Sequence, residues 1–381
     1  EGDQADVWTG IQFPSAVPGL VSRVADIPAE NVRFHQTYLG GGFGRRGSPS
    51  HIIEAAEIAK ATGKPIQLVW TREDDIQQGP FRPASLMRIK AGIDNDGNLI
   101  AWDAARAGAD ISPDTFRSLL PALYSWMGDG MIEGVANLSE WYFEKFATDE
   151  SSTEGLFEDY DHPNTRVTHM TVDHELPMTF WRSVGHSYTA FAKESMIDEM
   201  AEAAGMDEVA FRLQNTQNTP RLNNVIRVAG EQMAKMNPPE GHHLGFAAHH
   251  SFYTDVAEIA EVSVENGKIR VHKVTCVLDC GQAVNPDIVR SQIEGGVIYG
   301  LTATLYGGLN LERGAIKESN FHDYPMLRMN ESPEIEVVII DSGTKPTGVG
   351  EPGLPPIAPA VANAVYKATG QRLRSLPLQL V

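Results

Sequence analysis

The sequence predicts an α+β fold in two lobes, and three observations support that prediction. Strand-like and helix-like segments alternate through the first hundred residues, and no internal repeat occurs along the 381 residues, a length that corresponds to about two to three domains. The chain is 42% hydrophobic and 21% charged, the composition of a globular protein. A loosely patterned stretch near residues 205–245 separates two regular regions. We therefore predict a first lobe over residues 1–213, incomplete at its N-terminus, and a second lobe over residues 214–381.

The first lobe opens with strand patterns and then shows one clear helix. An apolar stripe that begins at Ile52 has helical spacing, and Gly63 and Pro65 end it. The acidic, glycine-containing turn at residues 94–98 is typical of a hairpin. Residues 110–178 are polar and irregular, and we expect a long excursion there, either a lid or a subunit contact. The predicted elements are strands at 7–11, 32–39, 66–70, 85–93 and 99–104, and helices at 52–59 and 188–204.

The second lobe begins as a β-rich region. Two apolar runs flank a turn that contains Asn266 and Gly267, which predicts a hairpin. Gly370 follows the last apolar-periodic residue of a closing helix, where a left-handed cap is expected. The predicted elements are strands at 256–264, 269–278 and 334–340, and helices at 288–301 and 357–369.

Charge and composition exclude several classes of protein. Fifty acidic and 31 basic residues give a net charge of −19, so binding to a phosphate backbone is disfavoured. No apolar run of about 18 residues exists, so we expect no transmembrane segment. Cys276 and Cys280 are too few for a disulfide framework. Their spacing, with no Cys or His cluster to complete four ligands, also excludes an iron–sulfur cluster or a zinc finger held by this chain alone. We expect both thiols to be buried and structural.

The beginning of the sequence is acidic and lacks the basic region of a secretory signal. It leads directly into the predicted strand at residues 7–11, which is typical of a sequence that starts in the middle of a domain. We expect the chain to be a processed or split half of something larger, or to receive partner strands from another polypeptide.

A glycine-rich loop follows the second strand. Gly42, Gly44 and Gly47 match the G-x-G-x-x-G pattern of dinucleotide-binding proteins. The preceding strand alternates polar and apolar residues, however, whereas a central parallel strand is nearly all apolar. The helix also begins after Ser50 and not at the third glycine. Three interpretations stay open: a dinucleotide site, a structural turn, and a backbone-amide cradle for another anionic cofactor. We favour the cradle.

A single carboxylate stands in an unusual loop near the end of the chain. Residues 348–356 read GVGEPGLPP, so glycines and prolines surround Glu351. Glycine permits sharp turns and proline fixes φ, which predicts a stiffly held side chain. The alternative is an acid that stabilises the N-terminus of the following helix. Glu351 lies far upstream of the apolar periodicity, so we favour a catalytic carboxylate.

Two further groups of residues carry potential chemistry. Residues 180–187 read FWRSVGHS, where Trp181 and Arg182 are either a core aromatic and a surface charge or parts of a binding site. Ser183 or Ser187 could cap the next helix or help to bind an anion. Histidines occur in two adjacent pairs, and neighbours on a strand point to opposite faces. We therefore expect no metal site from them, but pocket-edge or solvated positions; the four histidines are His242, His243, His249 and His250.

Four motifs together resemble one family. The segments GGGFGRR (40–46), FWRSVGHS (180–187), QIEGG (292–296) and GVGEPGLPP (348–356) are similar to the molybdopterin-binding large subunit of the xanthine dehydrogenase/aldehyde oxidase family. The similarity is greatest to the branch of isoquinoline 1-oxidoreductase and membrane-bound aldehyde dehydrogenase. The motifs occur in the family's order and extend over nearly the whole chain. The resemblance implies the two-lobed α+β cofactor-binding fold of that family.

The resemblance also implies roles for individual residues. Glu351 would be the active-site base, and Arg182 would approach the substrate or the metal centre. Gln292 would lie near the cofactor, whose molybdenum is held through the pterin dithiolene and not by protein side chains. The remaining positions that would contact the cofactor are Gly41, Gly42, Phe43, Gly44, Trp181, Ser183 and Gly350.

The resemblance further implies cofactors and partners. The cofactor would be molybdenum–molybdopterin in its cytosine dinucleotide form, with [2Fe-2S] clusters on a small partner subunit and no FAD or NAD on this chain. Family subunits are about twice as long, and the loop with a Gly-Gln-Gly sequence has no match here, so another chain would supply the missing N-terminal half. A cytochrome c is a further candidate acceptor of electrons. A periplasmic or membrane-associated location through partners fits the branch, with a cytoplasmic location as the alternative.

The implied activity is hydroxylation of an aldehyde or of an N-heteroaromatic carbon with oxygen from water. Two alternatives remain at this point. One is an NAD(P)-dependent dehydrogenase that uses the loop of Gly42, Gly44 and Gly47. The other is a non-catalytic scaffold that keeps the fold and binds no cofactor.

Overall fold

A computed structural model describes residues 2–124, 127–172 and 176–380. The chain packs as two compact units, each built from several segments. The first unit contains Glu1–Ser85, Ala107–Ser152 and Met170–Val184, and the second contains Leu86–Arg106, Thr153–His169 and Gly185–Val381. The boundary that the sequence suggested, between residues 213 and 214, falls inside the second unit and stays a prediction.

Helices and strands occur partly in runs, such as three helices over residues 186–233 followed by three strands over residues 242–279, as in an α+β fold. The helices are α1 (Val17–Ala25), α2 (Ser50–Thr62), α3 (Arg72–Gln78), α4 (Ser112–Leu123), α5 (Asp129–Lys145), α6 (Glu150–Thr153), α7 (His186–Ala203), α8 (Glu208–Gln214), α9 (Pro220–Met233), α10 (Pro286–Leu305) and α11 (Ile357–Thr369). The strands are β1 (Ala5–Thr9), β2 (Val32–Gln36), β3 (Ser85–Ile93), β4 (Leu99–Gly108), β5 (Asn164–Thr171), β6 (His242–Ser251), β7 (Thr254–Glu265), β8 (Lys268–Asp279), β9 (Leu311–Glu312), β10 (Ala315–Ile316) and β11 (Glu334–Ile340).

The first unit contains a small parallel sheet. β1 pairs with β2 from Ala5 opposite Val32 to Thr9 opposite Gln36. β1 therefore has a partner within this chain, and the expectation that its partner strands come from another polypeptide is wrong for the edge that β2 covers. Behind the strands lies an apolar cluster formed by the buried side chains of Ile11, Val17, Val21, Val32 and Ile52.

The predicted irregular excursion contains regular elements in its described part: the helices α4, α5 and α6 and the strand β5. α4 and α5 pack around Leu120, Ile132 and Ala136, and the guanidinium of Arg117 bridges the two helices by pairing with Glu140. α4 also lies directly against α1, because a Cβ on Gly19 would approach the carbonyl oxygen of Ala122 to 2.5 Å. Only glycine permits so close a contact between helix backbones.

The second unit is centred on a four-stranded sheet in the order β11-β8-β7-β6. β6, β7 and β8 are antiparallel, and β11 runs parallel to β8. Alternate residues of β7 face opposite layers, as strand geometry requires: Val256 and Ala260 pack towards α10 and α11, whereas Ala257 and Ile259 pack towards α9. The sheet therefore lies between two helical layers.

A second sheet, of order β3-β4-β5, belongs to the second unit over most of its length. Its apolar side chains share a core with α7 and α8, which includes Trp102, Ile197 and Phe211. The indole N–H of Trp102 donates to the carbonyl oxygen of Leu156 at 2.8 Å. The turn between β3 and β4 contains Gly97 at φ 81°, as its sequence predicts.

Several sequence predictions are confirmed, and others are wrong. α11 has the predicted bounds and ends at Gly370 with φ 73°, and both cysteines are buried. Residues 66–70 are not a strand, because an apolar run becomes a strand only when a neighbour completes its hydrogen bonds. The loosely patterned stretch contains α9, which was not predicted. Of the helices that the structure describes, none combines the length and apolarity needed to cross a bilayer.

Candidate functional site

The glycine loop of the first unit has an unusual backbone. Gly41, Phe43 and Gly44 have φ values of 107°, 50° and 85°. A Cβ would lie 2.4 Å from the ring of Phe43 if placed on Gly41, and 2.4 Å from the carbonyl oxygen of Phe180 if placed on Gly44. On Gly42 it would collide with the side chain of Gln12 at 2.4 Å. The chain's own packing therefore requires these glycines.

The loop does not have the geometry of a dinucleotide site. The N–H of Gly44 donates to Gln12 Oε1 at 3.0 Å, so this predicted cofactor contact already binds a side chain of the same unit. Arg45–Gly47 forms a short 3-10 turn, and α2 begins only at Ser50. In dinucleotide-binding proteins the helix N-terminus meets the pyrophosphate at the glycine motif itself.

Arg182 lies beside the glycine loop in the same unit. Its guanidinium carbon is 5.8 Å from the centre of the Phe43 ring, a cation–π distance. The residue is only 6% exposed, which overturns the alternative that it is a surface charge. Trp181 packs in the same manner with Arg82, whose guanidinium carbon is 4.3 Å from the indole centre.

The chain leaves Arg182 through two strained residues. Ser183 and Val184 have φ values of 69° and 46°, in the left-handed region that β-branched residues rarely adopt. Such strain costs about 1–3 kcal/mol for each residue and is concentrated at functional sites. Ser183 is fully buried. The segment therefore combines a buried cation with a strained backbone.

The loop that carries Glu351 is anchored at both ends within the second unit. Gly348 donates its N–H to the carbonyl oxygen of Phe252 at 3.2 Å, and its own carbonyl oxygen accepts from Thr254 Oγ1 at 2.7 Å. On the other side, a Cβ on Gly353 would lie 3.0 Å from Ile293 Cα in α10. Glu351 is partly exposed between these two anchors.

Gln292 is the neighbour of this loop. A Cβ on Gly350 would meet only the side chain of Gln292, with Oε1 at 3.9 Å. Gln292 is exposed on α10. The structure thus brings Gln292, Gly350 and Glu351 together in the second unit, as it brings Phe43, Gly44 and Arg182 together in the first.

Each unit, taken by itself, presents groups that fit an anionic organic ligand. Gly40 has no heavy atom within 4 Å of a would-be Cβ, and Gly350 has only the Gln292 amide, so both loops keep backbone faces without side chains. Arg182 supplies a positive charge and Gln292 an amide that both donates and accepts. Among the residues described, no three His, Cys, Asp or Glu side chains converge as metal ligands. Within each unit, the donors suit an organic cofactor that brings its own metal ligands.

Each unit also has a cavity. The first, of about 760 Å³, is lined by residues that include Ser50, Trp70, Asp114 and Met178, and by none of the predicted site residues. The second, of about 600 Å³, is lined by residues that include Asp159, Asp161 and His162.

The turn that holds the Glu351 loop was not predicted from the sequence. Phe252 and Tyr253, between β6 and β7, both adopt positive φ (52° and 62°). A two-residue hairpin turn of this kind usually contains asparagine and glycine. Because this turn consists of Phe252 and Tyr253 instead, its sequence does not indicate a turn. His249 was expected at a pocket edge or in solvent, but it is fully buried beside His186.

Comparisons with known proteins agree with this description. Two family models described as "Molybdopterin cofactor-binding domain" match the chain, one over residues 1–110 and 141–216, the other over residues 181–333. The chain is 33% identical to the isoquinoline 1-oxidoreductase β subunit of Brevundimonas diminuta, over 98% of this chain and 46% of that protein. It is 28% identical to the membrane-bound aldehyde dehydrogenase (pyrroloquinoline-quinone) of Gluconacetobacter polyoxogenes, over 98% of this chain and 49% of that protein. The chain thus spans about half the length of these relatives.

Solved structures agree on the fold. Quinoline 2-oxidoreductase of Pseudomonas putida 86 superposes with a TM-score of 0.78 at 13% identity, covering 96% of this chain and 69% of that chain. The CO dehydrogenase of Oligotropha carboxidovorans gives 0.73 at 13% identity, covering 97% and 69%. At such identities the likeness concerns the fold alone.

The fold and the matched domains define a molybdopterin-binding protein, whose cofactor is molybdenum–molybdopterin. More narrowly, the chain belongs to the xanthine dehydrogenase/aldehyde oxidase family of molybdopterin-binding large subunits, in the branch of isoquinoline 1-oxidoreductase and membrane-bound aldehyde dehydrogenase.

Proposed function

We propose that this chain is part of the large subunit of a molybdenum hydroxylase. The substrate would be an aldehyde or an N-heteroaromatic compound, and the new oxygen would come from water. The observation that carries the proposal is the loop of Glu351: a carboxylate held between two backbone anchors, next to Gln292. The dinucleotide alternative is not favoured, because α2 begins at Ser50 and not at the glycine motif.

Each residue has a role that its position supports. When bound, the cofactor supplies a Lewis acid and a two-electron acceptor. Glu351 takes a proton from the water whose oxygen enters the product, since a carboxylate fixed by a stiff loop is available in one orientation. Arg182 orients a polar or anionic group of the substrate with its guanidinium. The overall change converts C–H and H2O to C–OH, two protons and two electrons.

The finer features of cofactor and partners are also part of the proposal. The chain spans 46% of one relative named as a subunit and 32% of another, so a second polypeptide segment would complete the large subunit. The two electrons would pass to [2Fe-2S] clusters on a small subunit and then to an acceptor such as a cytochrome c. We further propose the cytosine dinucleotide form of the cofactor, and a periplasmic or membrane-associated location through the partner subunits.

The test is oxidation by the intact complex in H2(18)O. The complex is purified, its molybdenum and pterin are quantified, and it is supplied with aldehydes and N-heteroaromatic compounds and an artificial electron acceptor. We expect molybdenum in the complex and one labelled oxygen in each product. Dehydrogenation that requires NAD(P), or a metal-loaded complex whose product carries no label from water, would overturn the proposal. A complex without molybdenum or pterin would indicate the scaffold.

A further inference from the structure

Two histidines form a buried pair inside the second unit. His186 is the first residue of α7, and His249 lies near the end of β6. Their exposed fractions are 8% and 1%. Nδ1 of His186 and Nε2 of His249 are 2.9 Å apart, so one ring donates its N–H to the lone pair of the other. Neither ring belongs to the group of predicted site residues.

A carboxylate faces the outer nitrogen of each ring. Glu154 Oε2 lies 3.5 Å from His186 Nε2, and Asp159 Oδ2 lies 3.6 Å from His249 Nδ1. Both separations exceed a normal hydrogen bond by a few tenths of an ångström, which a small side-chain rotation closes. His249 Nδ1 has no hydrogen-bond partner among the described residues. The four side chains thus form a row. A hydrogen bond joins the two rings, and a slightly longer contact joins each ring to a carboxylate at the end of the row.

This row can exist in two arrangements of its protons. A neutral imidazole carries one N–H and one lone pair. If His186 donates through Nδ1, the N–H of His249 points to Asp159 and the lone pair of His186 faces Glu154. If His249 donates through Nε2, the directions are reversed. Moving each proton by one position converts one arrangement into the other, and this transfers one proton along the whole row.

The surroundings keep both rings neutral. Burial lowers the pKa of His186 to about 3, and the positive charges of Lys193 and His250 act in the same direction against Asp159. Burial also holds the pKa of His249 well below its ordinary value, with smaller contributions from Lys193, His186 and His250. A ring that does not retain a charge can pass a proton on without trapping it.

The row is packed tightly at its centre. Gly155 has φ 81°, and a Cβ on it would lie 2.7 Å from His186 Nδ1 and 2.8 Å from His249 Cε1. The backbone at Gly155 therefore covers the hydrogen bond between the rings and excludes water from it. Thr189 Oγ1 holds this turn by donating to the carbonyl oxygen of Glu154 at 2.7 Å.

The two ends of the row lie in different surroundings. Glu154 is 30% exposed and accepts the N–H of Gly185 at 3.3 Å. The ring of His186 packs against Phe252, with centres 5.5 Å apart, and Phe252 holds the Glu351 loop through Gly348. Asp159 pairs with Lys193 and lines the cavity of about 600 Å³.

We propose that Glu154, His186, His249 and Asp159 form a proton relay, which carries protons released near the Glu351 loop to the cavity beside Asp159. Each proton enters at Glu154, crosses the His186–His249 hydrogen bond and leaves from Asp159 to water, with no change in electron count. The source of the protons rests on the proposed function; the relay itself rests only on the second unit.

The first experiment measures protons during turnover. His186→Gln and His249→Gln retain hydrogen-bonding groups but cannot take up one proton while releasing another. In the intact complex we expect kcat and the rate of proton release to fall by about 10²-fold at unchanged KM, with partial recovery in added imidazole. His242→Gln is the control, since His242 stacks on His272 in the same sheet and pairs with Glu261. Normal kcat and normal proton release in folded His186→Gln and His249→Gln would overturn the relay.

The second experiment needs neither cofactor nor activity. Nitrogen NMR of ring-labelled histidine in the full-length subunit shows which nitrogen of each ring carries the proton, with signals assigned from the two glutamine variants. We expect both rings to change tautomer together as Glu154 is protonated, and Glu154→Gln to fix a single tautomer. If the tautomers of both rings change neither with pH nor in Glu154→Gln, the relay is overturned even in an active hydroxylase. Coupled switching without molybdenum-dependent oxidation would instead reject the proposed function and leave the relay.

Discussion

The N–H of Gly348 donates to the carbonyl oxygen of Phe252 at 3.2 Å, so the turn between β6 and β7 holds the loop that carries Glu351. The turn has two consecutive residues with positive φ, which cost about 1–3 kcal/mol each. The loop and the turn therefore stabilise each other's conformation, and the position of the carboxylate depends on residues far away in sequence.

Thr254→Val tests this dependence. The buried hydroxyl of Thr254 donates to the carbonyl oxygen of Gly348 and contacts Thr347 Oγ1, both at 2.7 Å. Removing it deletes a partly buried hydrogen bond, and we expect the free energy of unfolding to fall by about 0.5–1.5 kcal/mol, with a lower kcat. Urea unfolding and steady-state kinetics measure the two effects. Thr304→Val is the control, because Thr304 Oγ1 donates only to Gly300 of its own helix; equal losses in both variants would show that the Gly348 contact is unimportant.

Gly350→Ala and Gly353→Ala should separate cofactor binding from stability. A Cβ on Gly350 would meet only Gln292 Oε1 at 3.9 Å, whereas on Gly353 it would meet Ile293 Cα at 3.0 Å. We expect Gly350→Ala to keep its melting temperature and to lose molybdenum, because the methyl group covers an open backbone face. Gly353→Ala should lower the melting temperature. Full molybdenum content in Gly350→Ala would mean that the cofactor does not lie on this face.

Arg182→Met tests the substrate contact. A hydrogen bond to a charged group is worth about 1.5–3 kcal/mol, so kcat/KM should fall by about tenfold to a hundredfold for substrates with a polar or anionic group and much less for apolar aldehydes. The matched control is Arg82→Met, which removes the cation that packs on Trp181. An equal loss for all substrates would assign Arg182 to placement of the cofactor.

The buried carboxyl of Glu258 should make the free energy of unfolding depend on pH. Its carboxyl is fully buried in β7, where it accepts a hydrogen bond from the Cys276 thiol at 2.9 Å, and burial raises its pKa to about 8 from an ordinary 4.5. Above pH 4.5 the unfolded chain loses this proton while the folded chain keeps it. Stability contributed by the protonated group is thus greatest below pH 4.5 and is lost as the pH rises towards 8.

Glu258→Gln removes this ionisation and keeps an acceptor for Cys276. We expect the variant to be more stable than the parent protein at pH 8 and to differ little at pH 4.5, as measured by urea unfolding at both values. Glu265→Gln, at the exposed end of the same strand, should show no such difference. A stability gain that is equal at both pH values would contradict a protonated Glu258.

The sequence predicts the elements whose signals are local. α11 is apolar over its buried face and ends at Gly370, so its bounds need no knowledge of the rest of the chain. α9 also has a local signal, the helical spacing of Leu222, Val225, Ile226 and Ala229, although it was not recognised. Residues 66–70 show the limit of such reasoning, since an apolar run does not reveal whether a neighbouring strand will pair with it.

The candidate site likewise has some features that the local sequence predicts and others that depend on the fold. The motifs that contain Phe43, Arg182 and Glu351 could be recognised because glycine, proline and charged residues cluster there. The buried position of Arg182 could not, because it depends on the fold around it. The hydrogen bond between His186 and His249 joins residues 63 positions apart, and the Phe252–Tyr253 turn lacks turn-forming residues, so neither has a local signal.

The most direct test of the central claim is Glu351→Gln in the intact complex, with molybdenum measured in every preparation. A positioned base contributes about 10²–10⁴ in rate, so we predict an unchanged molybdenum content and a kcat lower by at least about 10²-fold. Glu294→Gln, an exposed residue of α10, should retain full activity. Near-normal turnover in a fully metallated Glu351→Gln enzyme would contradict the assignment of Glu351 as the base.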